Sequence, residues 1–125
     1  MIEAKDSLFT QVIGLAIEVH RTLGPGLLES IYEGALCHEL RDAGFNFERQ
    51  REVEVRYKGQ RLGAGFRADI IVEDCLVLEL KAVDHLSSLH TAQLITYLRL
   101  LDIKRGLLLN FNATPLKQGI KRVSI

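Results

Sequence analysis

The stretch VEDCLVLELKAV, residues 72–83, has the near-continuous apolar character of a buried strand, yet it carries Glu79 and Lys81 inside the run. Side chains two apart along a strand share a face, so these two project together while Leu78 and Leu80 pack on the other side. A chain built around this segment must form a sheet and give one face of it a place for a carboxylate and an ammonium.

The flanking sequence supplies the rest of the layers. Leu8, Val12, Leu15 and Val19 recur at helical spacing over residues 7–23, with Asp6 or Ser7 as N-cap and Gly24 as stop. After GPG at 24–26, Leu28, Ile31, Ala35, Leu36, Leu40 and Ala43 fall on one arc of a second helix ending at Gly44. From Glu52 the period changes to two: Val53, Val55 and Tyr57 alternate with charged residues up to a turn at Lys58-Gly59-Gln60. Further strands are expected at Leu62–Phe66, at RADIIV (67–72) and at CLVLELKAV (75–83). Ser87 caps a third helix carrying Leu94, Leu98 and Leu101. LLLNF (107–111) reads as a buried strand and KRVSI (121–125) as a short last one. The order α-α-β-β-β-β-α-β predicts an α/β fold, a mixed sheet with helices on its faces.

Register decides whether Asp69 joins Glu79 and Lys81. With an odd loop at the corner, Glu73-Asp74-Cys75, Val72 faces Leu76 and Asp69 faces Glu79; a two-residue loop would set Asp69 opposite Leu78 and turn the carboxylates to opposite faces. The odd register also aligns Ile70 with Leu78 and Ile71 with Val77, so packing favours it. Like charges opposite each other destabilise a sheet, and Lys81 can answer only one of them. Glu29 lies on the arc of Leu36 and Leu40 and is expected to point inward; a cluster of Asp69, Glu79, Glu29 and Lys81 carries net charge −2. Hard divalent cations such as Mg²⁺ balance such a group, taking one or two carboxylates plus waters. Plainer explanations exist for the separate residues: an edge-strand ion pair for Glu79–Lys81, the helix dipole for Glu29 and His20, an ordinary helix surface for His90, Gln93 and Tyr97.

Composition bounds the function. At 125 residues the chain is expected to form one domain over 1–125, and 47% apolar with 26% charged residues is an ordinary globular mixture. Acidic and basic residues balance at 16 each, so a polyanion partner has to meet a local basic face. Arg49, Arg51, Arg56, Lys58, Arg61 and Arg67 form such a set, interleaved with Glu48, Glu52 and Glu54. Two distant cysteines, Cys37 and Cys75, match neither a metal knuckle nor a redox pair and are expected to be reduced. With no apolar leader region and no charge-free 18-residue window, a cytoplasmic location without membrane contact is expected.

Gly26-Leu27-Leu28-Glu29-Ser30-Ile31-Tyr32 matches the motif of the GxxExxY family, and the chain resembles that family from about residue 7 to 122 through Val19-His20, LGPG, RADIIVED, LVLELKAV, AQLITYLR and GLLLNF. The family looks like a branch of the PD-(D/E)XK nuclease superfamily, which implies a restriction-endonuclease-like core. Carried over by position, the resemblance implies Asp69 and Glu79 as metal ligands, Glu29 as an added helix ligand and Lys81 as catalytic lysine, while Gln93 and Tyr97 resemble a Gln-xxx-Tyr helix motif. Ala68 stands where the superfamily name has proline, a backbone-shaping position. The implied activity is Mg²⁺- or Mn²⁺-dependent hydrolysis of nucleic-acid phosphodiesters, DNA in particular; with net charge zero, affinity is expected to be modest and salt-sensitive, leaving room for help from a homodimer or a partner subunit. The alternatives are a non-catalytic nucleic-acid-binding or protein-interaction module on the same scaffold and a small-molecule phosphoesterase.

Overall fold

Helical spacing and glycine stops carry the chain through α1 (Ala4–Leu23) and α2 (Glu29–Asp42) in the computed structural model, which describes residues 4–125. Gly24, at φ +74°, ends α1 as expected, its N–H donating to the His20 carbonyl at 2.8 Å. The helix already runs through Asp6 and Ser7, so neither is its N-cap. Then come β1 (Phe47–Tyr57), β2 (Gln60–Val72), β3 (Leu76–Lys81), α3 (Ser88–Leu101), β4 (Arg105–Asn110), a 3-10 turn and β5 (Ile120–Ser124). Ser87 caps α3 as its sequence suggests: its hydroxyl accepts from the His90 N–H at 3.4 Å, and His90 Nδ1 accepts from the Ser87 N–H at 3.0 Å.

The sheet runs β1-β2-β3-β4-β5, antiparallel except for the β3–β4 pair, whose parallel crossover is α3. The expected mixed sheet is present, but 60–72 is one strand, not two, so the order is α-α-β-β-β-α-β-β. Gly63 and Gly65 do not break it. Gly63 pairs with Val55, while Gly65 and Leu62 are the residues β2 carries in excess of β1, bulges that sharpen the twist without ending the pairing. Lys58 and Gly59, both at positive φ, make the two-residue turn that closes the Tyr57–Gln60 pair.

Alternation along β3 divides the core into two layers. Leu76, Leu78 and Leu80 pack with Val12, Ala16, Tyr32, Leu36 and Leu40 of the α1–α2 layer, whereas Val77 packs with Leu94 and Leu98 of α3. Glu79 and Lys81 follow Val77 on the α3 face, where the apolar stripe stops. At the outer side of the sheet the strands change face: Val53, Phe66 and Ala68 belong to the α3 layer, but Phe47, Ile70 and Val72, of the same parity along their strands, belong to the other. The switch falls at Gln50 and Asp69, which sit opposite each other, with Gln50 at φ +51°.

On the α1–α2 side, fully buried Tyr32 stacks on Phe111 at 4.5 Å and fastens the loop between the helices. Its hydroxyl donates to the Gly24 carbonyl at 2.6 Å and accepts from the Leu27 N–H at 3.1 Å. Tyr32→Phe strands both backbone groups and is expected to cost about 2 kcal/mol. A urea titration should show a lower midpoint with an unchanged slope.

Candidate functional site

The expected register is present: Val72 pairs with Leu76, Ile71 with Val77 and Ile70 with Leu78. One step further, at Asp69 and Glu79, the backbone ladder stops and the two side chains take its place. The Asp69 N–H donates to Glu79 Oε2 at 2.9 Å, and the Leu80 N–H donates to Asp69 Oδ2 at 2.9 Å. These two bonds hold the carboxyl groups side by side. Glu79, only 5% exposed, is also fixed from behind because β3 stays paired with β4 through Lys81.

Two carboxyl groups enclosed this way resist ionisation. Burial pushes the Glu79 carboxyl up to about 8, with repulsion from Asp69 and more distantly from Glu29, against the Asp69 N–H and the charge of Lys81. Asp69 is also raised, first by burial and then by Glu33, while the Leu80 N–H, Gln50 and Lys81 oppose the shift. Lys81 is half-buried and favours ionisation of both acids without a contact ion pair to either. Tyr97 reaches the cluster from α3, its ring stacked on Phe66 at 3.4 Å. Its phenol is raised by burial and by the charges of Glu79 and Asp69. Gln93, one turn earlier on α3, is half-buried.

Glu29 departs from the inward orientation expected of it. It has the azimuth of Leu36 and Leu40, but residues 28–31 at the start of α2 are all exposed, with Leu28 74% and Ile31 50% accessible. Its charge acts on Glu79 from that exposed position. The α2 carboxylate that is buried is Glu33, 7% exposed. Arg49 donates to Glu33 Oε2 through Nε at 3.1 Å and Nη2 at 3.0 Å. Gln50 Nε2 donates to Glu33 Oε1 at 2.7 Å and to Asp69 Oδ1 at 3.3 Å, linking α2 to the carboxylate pair. Glu33 and Gln50 were not among the expected site residues. The spacing Glu33–Cys37–Leu40 signals the first; the left-handed backbone at Gln50 has no sequence mark. Among the described residues, the one trio of potential ligand atoms lying within 4.8 Å of one another is His38, Glu39 and Asp42, on the outer side of α2. Asp69 and Glu79 are thus a pair, with Glu29 standing off.

A mixed sheet whose one strand offers an aspartate and whose neighbour offers Glu-x-Lys, backed by helices on both faces, has the restriction-endonuclease-like architecture. The sequence profile of the PD-(D/E)XK nuclease superfamily matches residues 6–123. The chain belongs to that superfamily. No curated protein and no solved structure matches it. No helix among the described residues is long and apolar enough to cross a membrane.

Proposed function

We propose that the chain hydrolyses phosphodiester bonds of DNA at the Asp69–Glu79–Lys81 cluster, as a member of the GxxExxY branch. The observation that carries this reading is the reciprocal bonding of Asp69 and Glu79. Each carboxylate spends one oxygen on a backbone N–H, leaving Glu79 Oε1 unbonded and Asp69 Oδ1 held only by Gln50. A raised-pKa carboxylate pair with spare oxygens fits Mg²⁺ or Mn²⁺, which takes one or two carboxylates and fills its other positions with water. Asp69 and Glu79 would hold such an ion, with exposed Glu29 able to contribute only its charge from further off. When bound, the ion supplies Lewis-acid polarisation of a phosphoryl oxygen and a more acidic water.

The chain's own groups do the rest. The Lys81 ammonium orients the attacking water and meets negative charge growing on the phosphoryl oxygens as the water oxygen bonds to phosphorus and loses its proton to solvent, while the leaving P–O bond breaks and the departing oxygen takes a proton from solvent. Gln93 and Tyr97 position the phosphate from α3. Glu33, already answered by Arg49, adds little ligand capacity; through Gln50 it fixes where Asp69 points.

The test is incubation with plasmid, linear duplex, single-stranded DNA and a generic phosphodiester, each with Mg²⁺, Mn²⁺ or EDTA, with Lys81→Ala as control. Metal-stimulated DNA cleavage that Lys81→Ala loses is the expected result. Cleavage of the generic ester alone points to a small-molecule phosphoesterase, and failure of every substrate to an interaction module.

A further inference from the structure

Beyond the Val53–Phe66 pair, β1 and β2 continue as a two-stranded ribbon over residues 54–65. Almost nothing covers it: only Val55 is half-buried, and Tyr57 and Leu62 are 60% and 64% accessible. A bare two-stranded ribbon is marginal by itself, so its length is not explained by the core. It carries Arg56, Lys58 and Arg61 against Glu54 alone, a surplus of two positive charges on a chain of net charge zero. Glu54 is engaged by Arg61, with Arg56 at 4.0 Å, and Lys58 has no carboxylate partner among the described residues. At the ribbon's base Arg51 and Arg67 are paired with Glu48 and Glu52, so the unanswered charge lies toward the tip.

We propose that this ribbon is an arm that lies along double-stranded DNA beside the cleavage site, Arg56 and Lys58 contacting phosphates. The partner class rests on the phosphodiester reading of the Asp69–Glu79 pair. Three observations favour a duplex. The B-form major groove admits a two-stranded ribbon, whereas the deep, narrow groove of A-form RNA does not. Bulges at Gly65 and Leu62 coil the ribbon as following a groove requires. The arm leaves the sheet three residues from Asp69 and sets its basic tip about 25 Å away along β2, within one ~34 Å turn of B-DNA.

The test is fluorescence anisotropy with a short labelled duplex in Ca²⁺ across a salt series, comparing wild type with Arg56→Gln/Lys58→Asn. Asparagine at 58 makes an Asn-Gly turn suited to that left-handed position, so the ribbon's fold is kept while two charges go. Expected are unchanged melting, roughly 50-fold weaker duplex binding near 0.1 M salt, and a log K against log[salt] slope shallower by about 2. Turnover of a generic phosphodiester, too small to reach the tip, stays at the wild-type rate. A double variant with wild-type affinity and slope overturns the arm, as does a wild type without salt-dependent duplex binding. A wild type that binds with the full slope but cleaves nothing supports the arm and overturns the catalytic reading.

Discussion

Asp69→Asn and Lys81→Ala are each expected to lower metal-stimulated phosphodiester cleavage on the order of 10³-fold, the scale found when one preorganised electrostatic group is removed from a site. The two substitutions fail differently. Asparagine at 69 still accepts the Leu80 N–H through its amide oxygen, so the strand junction survives, while the charge that would hold a cation is gone. Metal-induced stabilisation should therefore vanish in Asp69→Asn, since an ion raises the melting temperature only by binding the folded state. Lys81 bonds to neither carboxylate, and its removal leaves Asp69 and Glu79 in place. Lys81→Ala should keep a metal-dependent thermal shift and lose turnover. Both variants retaining cleavage within tenfold of wild type would place the chemistry elsewhere on the molecule.

The register beneath that pair was legible because two demands coincide. Ile70–Leu78 and Ile71–Val77 bury apolar groups, and the same three-residue corner brings Asp69 to Glu79. What could not be read is how the junction is made, because a mutual exchange of backbone N–H bonds by two carboxylates leaves no periodic trace. Separate strands expected at 62–66 and 67–72 are one, because β2 stays paired with β1 across Phe66 and Arg67 and through its bulges. Azimuth alone sets Glu29 inward. A helical wheel says which side of α2 faces the sheet and nothing of how far the first turn overhangs it, so Glu33, one turn further in, is the buried acid. The switch of faces at Gln50 depends on a residue in the left-handed region that is neither glycine nor asparagine, and composition gives no warning of it.

Metal-free protein is expected to lose roughly 5 kcal/mol of stability between about pH 4.5 and pH 8 through Glu79 alone. The sign follows from proton binding. With its carboxyl pushed up to about 8 in the fold against 4.5 unfolded, Glu79 keeps its proton when folded at pH values where the unfolded chain has released it. Raising the pH across that window favours the unfolded state, and above pH 8 the penalty is complete. Asp69, raised as well, acts in the same direction. Glu79→Gln still accepts the Asp69 N–H but cannot ionise, so its melting temperature should exceed that of wild type by on the order of 15 °C at pH 9 and match it near pH 4.5. The difference between the two curves isolates this group from every other that titrates in the range. Added Mg²⁺ should do little at pH 5, where Glu79 holds its proton, and progressively more toward pH 8, as Glu79 ionises and a cation would offset its repulsion with Asp69. Parallel wild-type and Glu79→Gln curves from pH 4.5 to 9 would mean that Glu79 ionises freely, and that no stored repulsion awaits a metal.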